Sequence, residues 1–273
     1  MVGERAARRW GAAVGDLVAV EPHLACGACR WCARGRAQFC EQGRGYGVRI
    51  SCARPPHLWG AFAEYLFLPA EATVAPVGDL GPDVAILIPS MLANGLRWVA
   101  AVGAARPGDV VVILGAGQQA LGCALAAREC GASVVVCGLE GDEARLAAAA
   151  GLGATTVVGV PDVVADLVVD VTGSPRGLET AVEVVARGGR IVVAGLSRAA
   201  VPLAADALVW NEVAVLGVYS HDRESFLRAV GLARRRRDLL EGLVSHRFAL
   251  ADTAAAVDAL GVVPRPVKVV VEP

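Results

Sequence analysis

Four cysteines within residues 26–40 are spaced in a way that is typical of metal binding. Cys26, Cys29, Cys32 and Cys40 form the pattern C-x2-C-x2-C-x7-C. Two residues between cysteines let a turn direct both thiolates at one ion, and four thiolates complete the tetrahedral shell that zinc prefers. A closed four-sulfur shell leaves no position open for a substrate. The spacing therefore predicts a structural zinc ion, with chance clustering or a redox pair as the alternatives.

A glycine-rich turn is the second candidate for chemistry. Residues 115–120 read G-A-G-Q-Q-A, between a strand-like run at 110–114 and a helix-like stretch. This is the small-residue variant of the dinucleotide fingerprint. Gly115 makes the tight turn, Gly117 lets the backbone approach a pyrophosphate, and Ala120 permits close helix–strand packing. The helix amino terminus adds N–H donors and a favourable dipole. The pattern predicts a dinucleotide site, against the plainer alternative of a simple strand–helix turn.

The next strand bears on the choice between NAD and NADP. Gly138 stands where a carboxylate would bind the ribose 2′-hydroxyl and repel a 2′-phosphate, so one barrier to NADP is absent. The loop after it carries Glu140, Asp142 and Glu143, with Arg145 as the candidate phosphate partner. Three acids close to a phosphate would repel it. We therefore expect NAD or NADP as the cofactor, with a preference for NAD.

The other cysteines show no ligand spacing. Cys123 and Cys130 lie on one predicted helix, Cys137 ends a strand and Cys52 stands alone. Free cysteine is among the most frequently buried residue types and packs as a small hydrophobe, and we expect that role for these residues. In a cytoplasmic chain a total of eight cysteines indicates metal binding or cysteine chemistry rather than disulfides.

The composition and the apolar pattern of the sequence change near residue 81. This change predicts which elements position the cysteine cluster and the glycine-rich turn. Before it, glycine, cysteine, proline and aromatic residues surround strand-like runs at 17–20 and 63–68, which is typical of a small β-rich lobe. Beyond it, short apolar runs alternate with stretches of helical period. The apolar runs lie at 110–114, 134–137, 167–171, 191–194, 213–218 and 267–271, and clear helical stretches at 118–130 and 142–150. Such alternation specifies a doubly wound parallel sheet covered on both faces, so the predicted fold class is α/β.

Composition and charge exclude several classes of partner. The chain is 55 % hydrophobic and 19 % charged, with a net charge of −1. It therefore has core material for a globular fold, and its net charge argues against a nucleic-acid binder, which would normally carry a basic stripe. The most apolar stretch, 84–105, is interrupted by Pro89, Asn94 and Arg97 and predicts no membrane span. The charged residues 1–10 do not form a secretory signal, so we expect a cytoplasmic protein.

Together these features resemble the zinc-containing medium-chain dehydrogenases, the alcohol, polyol and threonine dehydrogenase-like group. Besides the cysteines and the glycine turn, the resemblance rests on G-D-L-V at 15–18, G-A-F-A-E-Y at 60–65, D-V-T-G-S at 170–174 and G-G-R-I-V at 188–192. It implies a GroES-like β-rich catalytic domain split around a Rossmann domain, with the active site between them. We accordingly expect an incomplete GroES-like domain with the structural zinc lobe at 1–81, the Rossmann domain at 82–220, and a return to the catalytic domain at 221–273.

The resemblance also implies further residues beside the cofactor. Thr172, Gly173, Gly195 and Leu196 would lie at strand ends next to the dinucleotide, where ligands of parallel sheets generally bind. The alternative is that these residues only end their strands. The implied reaction is reversible hydride transfer between nicotinamide and a small-molecule alcohol or carbonyl. The resemblance also implies a homo-oligomer if a full-length chain exists.

The catalytic zinc site of the family is where the sequence departs from the resemblance. The family's Cys and Gly-His-Glu ligands lie upstream of the G-D-x-V segment, where this sequence has neither Cys nor His. The third ligand position corresponds to Ser90, a poor zinc ligand. The histidines are far apart and lack ligand spacing, so we expect surface or packing roles for them, with His57 in an aromatic loop that could face the cleft. These histidines are His23, His57, His221 and His246. No catalytic residue is assigned.

Three functions remain open from the sequence. The first is an oxidoreductase of the alcohol dehydrogenase type, of which this sequence is a fragment or a version with a late start. In that type zinc stabilises the alkoxide before hydride leaves, and the ligands of that zinc are missing from this sequence. The second is a non-catalytic module that binds dinucleotide and structural zinc. The third is a zinc-independent reductase related to the quinone reductases, although that group generally lacks the cysteine cluster.

Overall fold

The computed structural model of the chain describes residues 3–47, 49–201, 203 and 205–273. The strands are β1 (Val18–Val20), β2 (His23–Leu24), β3 (Arg44–Gly45), β4 (Val74–Pro76), β5 (Val110–Leu114), β6 (Ser133–Gly138), β7 (Thr155–Val158), β8 (Ala165–Asp170), β9 (Val185–Val193), β10 (Ala214–Gly217), β11 (His246–Ala249) and β12 (Val269–Glu272). The α-helices are α1 (Glu4–Trp10), α2 (Arg30–Ala33), α3 (Pro82–Ala85), α4 (Ala93–Gly95), α5 (Gln118–Glu129), α6 (Glu143–Gly151), α7 (Pro175–Val184), α8 (Ala205–Trp210), α9 (Arg223–Arg235), α10 (Arg237–Leu240) and α11 (Thr253–Ala259). Short 3-10 helices lie at Ala37–Phe39 and Leu250–Asp252, and π-helical segments at Ile88–Leu92 and Leu96–Val102.

A six-stranded parallel sheet is built from the apolar runs in the middle of the chain. Its strand order is β10-β9-β8-β5-β6-β7, and each neighbouring pair is parallel. The central strands are buried on both faces, which explains why β5 is apolar without alternation. The order proceeds outward in both directions from β5 and β8, which defines the doubly wound Rossmann topology. The predicted α/β class is confirmed.

The carboxyl ends of the central strands meet at one edge of this sheet. The register pairs Leu114, the last residue of β5, with Cys137 in β6 and with Asp170 at the end of β8. The segments that follow, beginning at Gly115 and leading to Thr172, therefore leave the sheet side by side. Open parallel sheets bind their ligands at this edge.

The cysteine-rich part of the chain contains two short antiparallel strand pairs, β1 with β4 and β2 with β3. Their shared core consists of Leu24, Tyr46, Ile50, Trp59, Ala72 and Val74. The prediction of a strand at 63–68 is wrong, because the described residues form no strand there and Tyr65 is 72 % exposed. Leu66 and Leu68 pack against this core from a loop, so burial of alternate side chains does not require a strand here.

The chain divides into two compact units. One comprises the residues up to Ala93 together with His221–Leu260 and Lys268–Pro273, and it includes the parallel pair of β11 with β12. The other comprises Asn94–Ser220 and Gly261–Val267 and contains the six-stranded sheet. Compactness alone does not define functional domains, so the predicted limits at 1–81, 82–220 and 221–273 stay a prediction.

One helical run, Pro82–Val102, is long and apolar. Among the described residues, Pro82–Val102 alone has the length and composition to cross a membrane, with a mean hydropathy of 1.5. The expectation that Pro89, Asn94 and Arg97 exclude such a span on composition is therefore too strong. Of the apolar window, 67 % is buried inside the protein, as in a core helix.

Candidate functional site

The four predicted zinc ligands lie together. The sulfur atoms of Cys26, Cys29, Cys32 and Cys40 are all within 4.8 Å of one another, and Sγ of Cys26 is 3.9 Å from Sγ of Cys32. The N–H groups of Cys26 and Cys29 donate to the sulfurs of Cys40 and Cys26, each at 3.4 Å. Zinc–sulfur bonds of about 2.3 Å in a tetrahedron place sulfurs roughly 3.8 Å apart. The cluster therefore has the size that a zinc ion requires.

Local turns and backbone donors shape this cluster. Gly27 and Gly35, with φ of +76° and +72°, reverse the chain on either side of α2 in a conformation that side-chain-bearing residues rarely adopt. The N–H groups of Glu41 and Cys32 lower the pKa of Cys29 to about 6. A thiolate is therefore present at neutral pH, and the thiolate is the form that binds metal.

The remaining cysteines differ in exposure. Cys123 and Cys137 are buried, and burial raises the pKa of both thiols, that of Cys137 to about 12. These two act as the small buried hydrophobes that the sequence predicts. Cys130 is half-buried, whereas Cys52 is exposed, so the prediction of burial is wrong for Cys52. Its neighbours are loop residues rather than periodic apolar positions, and nothing there requires a hydrophobe.

The glycine-rich turn opens a pocket of about 510 Å³ at the carboxyl edge of the large sheet. Gly115 has φ of +103°, and a Cβ there would lie 3.1 Å from Cγ2 of Val171. Gly117 precedes α5, and a Cβ built on it would meet no atom within 4 Å. Ala120 is fully buried and supports the turn from within the fold. Of the predicted cofactor residues, those lining the pocket are Gly115, Gly117, Gly138, Arg145 and Thr172.

Asp170 organises the chain after β8. Its Oδ1 accepts hydrogen bonds from the backbone N–H of Thr172 at 2.9 Å and from its hydroxyl at 2.7 Å. Burial raises the pKa of Asp170, although the bonds from Thr172 act in the opposite direction. In the sequence, Asp170 stands out only as part of the family resemblance. An acid that ends an apolar strand two residues before a threonine is the signal that could have identified its role.

Gly173, Gly195 and Leu196 lie beside that turn. A Cβ on Gly195 would be 2.1 Å from the backbone nitrogen of Gly173, so the two glycines let the segments after β8 and β9 approach closely. Leu196 is 86 % exposed. These three lie outside the pocket lining found in the described residues, and their role next to a dinucleotide stays a prediction.

A charged corner closes the pocket near Gly138. Asp142 is only 6 % exposed, and its Oδ1 lies 3.2 Å from Nη1 of Arg145 and 3.4 Å from Nη1 of Arg265. Its Oδ2 accepts the N–H of Leu139 at 3.0 Å. Sequence reasoning missed Arg265, which is 123 residues from Asp142 and gave no local signal. The charged residues that line the pocket are Asp142, Arg145, Arg176 and Arg265.

The position expected for a catalytic zinc ligand offers no ligand set. Ser90 is half-buried in the π-helical segment Ile88–Leu92. Within the part of the chain that the structure describes, groups of three or more Cys, His, Asp or Glu close enough to share an ion are the cysteine cluster and a second group of Glu21, His23 and His221. Neither group includes Ser90.

The histidines separate into two kinds. His57 and His246 are exposed, as expected of surface histidines. His23 and His221 instead bond to one buried carboxylate: Nδ1 of His23 is 2.6 Å from Oε1 of Glu21, and Nε2 of His221 is 2.9 Å from its Oε2. Glu21 and His221 are 200 positions apart in the sequence, so no local pattern points to this cluster.

Comparison with known proteins points to one family. The family described as "Alcohol dehydrogenase GroES-like domain" matches residues 2–79, and "Zinc-binding dehydrogenase" matches residues 120–235. A protein named "Probable alcohol dehydrogenase adh" from Mycobacterium tuberculosis (strain CDC 1551 / Oshkosh) is 38 % identical over 272 residues, which cover 92 % of this chain and 71 % of that protein. An L-threonine 3-dehydrogenase from Saccharopolyspora erythraea is 32 % identical over 250 residues, covering 87 % of this chain and 69 % of the relative. The crystal structure of an alcohol dehydrogenase from Thermotoga maritima superimposes with a TM-score of 0.86 at 26 % identity, covering 96 % of this chain and 77 % of that one.

A Rossmann sheet joined to a GroES-like domain defines the class of the protein, that of a dehydrogenase. The relatives make the assignment narrower. The chain belongs to the zinc-containing medium-chain dehydrogenases, the alcohol and threonine dehydrogenase-like family, whose members depend on NAD(P) and zinc.

Proposed function

We propose that this chain binds a nicotinamide dinucleotide in the pocket at the edge of the large sheet and belongs to an enzyme that transfers hydride between that cofactor and a small-molecule alcohol or carbonyl. The observation that carries the proposal is the pocket opened by Gly115 and Gly117 at the carboxyl ends of parallel strands. The names of the relatives support the alcohol or carbonyl as the substrate class.

The residues of the pocket suit a dinucleotide. The open face of Gly117 would let a pyrophosphate approach the amino terminus of α5, where the helix dipole favours its negative charge. Three arginines and a single acid line the pocket, which adds positive charge. Nicotinamide, when bound, accepts or donates the hydride. Zinc held by the four cysteines would fix the lobe that carries them, because a closed sulfur shell is structural.

We further propose that the pocket admits NADP. The sequence favours NAD because three acids follow Gly138, but Asp142 bonds to two arginines and Glu143 accepts the N–H of Gly141 at 2.9 Å. Two of the three acids are therefore engaged locally. A 2′-phosphate near Gly138 would meet Arg145 and Arg265, which have planar guanidinium groups suited to phosphate.

A non-catalytic binding module is the second candidate, and Ser90 favours it. Serine at that position is a poor zinc ligand, and the described residues hold no other group at Ser90 that would bind the metal. Such a protein would bind dinucleotide and zinc without turnover. Cofactor binding tests the dinucleotide site that both candidates share.

The test of the site is a titration of protein fluorescence with NADH. We expect saturable quenching, and a flat titration would remove the dinucleotide site. Gly117→Val should weaken NADH binding at least about tenfold, because its side chain would enter the open space that the pyrophosphate needs. Gly151→Ala is the matched control: it lies in α6, and a Cβ there meets no atom within 4 Å. Both variants should melt close to the unmodified protein.

A further inference from the structure

The buried cluster of Glu21, His23 and His221 lies outside the zinc and dinucleotide sites. Glu21 follows β1, His23 begins β2, and His221 comes just before α9. Glu21 is 3 % exposed and His221 2 %, while the side chain of His23 is 12 % exposed. The two imidazole rings meet edge to face, with centroids 5.5 Å apart. All three residues belong to the same compact unit.

The cluster needs positive charge. A carboxylate removed from water is unfavourable unless it is paired. A divalent cation coordinated by the same three groups would supply that positive charge.

The donor atoms suit a transition metal. Two imidazole nitrogens and one carboxylate oxygen form a set that borderline metals such as zinc bind in proteins. The candidate ligand atoms all lie within 4.8 Å of one another. Bond lengths near 2.1 Å in a tetrahedron require ligand atoms roughly 3.4 Å apart. The observed hydrogen bonds of 2.6 and 2.9 Å would open by less than about 1 Å to admit an ion.

We propose that Glu21, His23 and His221 form a second metal site, for a divalent transition-metal ion such as Zn²⁺ or Co²⁺, distinct from the cysteine cluster. Its donor set is nitrogen and oxygen, whereas that of the cysteine cluster is sulfur. The ion would join the strand region at β1 and β2 to the start of α9, which is 200 residues away in sequence. Burial of the ligands makes the ion a cross-link between these segments rather than a substrate site.

The first experiment counts metal and reads its ligands. The purified chain, with zinc in the cysteine cluster verified by metal analysis after a mild chelator wash, is titrated with Co²⁺. One further equivalent should bind with visible d–d absorption and without the near-ultraviolet band of a cobalt–thiolate bond. If no equivalent binds beyond the cysteine cluster, or if all bound cobalt shows the thiolate band, the second site does not exist.

Variants assign that equivalent to residues. His221→Gln and His23→Gln should each weaken Co²⁺ binding by at least the roughly 10- to 100-fold that loss of even an outer-shell partner costs. Both should also remove the rise in Tm that Co²⁺ causes in the unmodified chain. His246→Gln is the matched control, because His246 is exposed and bonds to Ser245. Unchanged Co²⁺ affinity in both variants would overturn the proposal.

A measurement on the unmodified chain tests the proposal even if the variants fail to fold. Imidazoles that coordinate Co²⁺ give strongly shifted, exchangeable N–H proton signals in NMR spectra. Signals from two histidines should appear with the second equivalent. Cobalt binding without any shifted imidazole signal would show that the metal lies elsewhere and would also overturn the proposal.

Discussion

At the scale of single residues, Cys40 tests the zinc lobe most directly. It is the most buried of the four cysteines, and its sulfur accepts the N–H of Cys26. Cys40→Ser should reduce bound zinc from close to one ion per chain to little or none, because three thiolates bind zinc less tightly than four. The Tm should fall by more than about 2–4 °C, the shift that 1 kcal/mol causes in domains of 150–250 residues. Cys52→Ser, at an exposed cysteine outside the cluster, should change neither metal content nor Tm. Full zinc content in Cys40→Ser would refute the four-sulfur site.

Arg265 tests the choice of dinucleotide at the same scale. Its Nη1 contacts the carbonyl oxygen of Glu140 at 3.1 Å and Asp142 at 3.4 Å, beside Gly138. Arg265→Ala should weaken NADPH binding about tenfold, since a charged hydrogen bond contributes about 1.5–3 kcal/mol and 1.4 kcal/mol is tenfold. NADH, which lacks the 2′-phosphate, should lose much less. Arg187→Ala, at an exposed arginine bonded to Asn211, is the control. An equal loss for both cofactors would show that Arg265 does not contact the 2′-phosphate.

At the scale of elements, the contact between α4 and α5 fixes the helix that begins the dinucleotide site. A Cβ on Gly95 would lie 2.1 Å from the carbonyl oxygen of Gly122, and Asn94 donates to Oε1 of Gln119 at 3.1 Å. Gly95→Ala must therefore push α5 away, and overpacking of this kind costs about 1–3 kcal/mol. We expect a lower midpoint in urea unfolding and weaker NADH binding, because Gly117 moves with α5. Gly217→Ala, where a Cβ meets no atom within 4 Å, should leave both unchanged. Normal stability in Gly95→Ala would mean that the helices separate at no cost.

The elements also show what could be predicted from the sequence. The central strands are identified by continuous apolar runs, because a strand buried on both faces cannot alternate. β7 (Thr155–Val158) was not predicted, because an edge strand with partly exposed threonines lacks such a run. The cysteine cluster and the glycine turn are local patterns, and the structure places their residues together. Arg265 and the Glu21–His221 contact join residues 123 and 200 positions from their partners, which no local pattern encodes.

At the scale of the whole molecule, the chain leaves its first compact unit after Ala93 and returns to it at His221. The returning segment is bound there by charged contacts: Arg234 bonds to both carboxylate oxygens of Asp79, at 2.8 and 3.1 Å. These pairs are exposed, and exposed pairs contribute little each. The unit therefore depends on burial, as at Phe226 and Leu232 of α9, more than on its surface charges.

Turnover of an alcohol depends on the whole molecule. Oxidation of an alcohol requires its hydroxyl proton to leave, and in zinc dehydrogenases the metal stabilises the resulting alkoxide. In the described residues, the sulfur cluster is a closed shell and the cluster at Glu21 is buried, so neither presents an ion to an alcohol. We expect the 273-residue polypeptide to bind NADH while alcohol oxidation, followed as NADH absorbance with and without added Zn²⁺, stays at background. Heat-denatured protein provides the baseline. Robust turnover that a chelator abolishes would contradict this expectation, and its loss in His221→Gln would identify the Glu21 cluster as the metal site responsible.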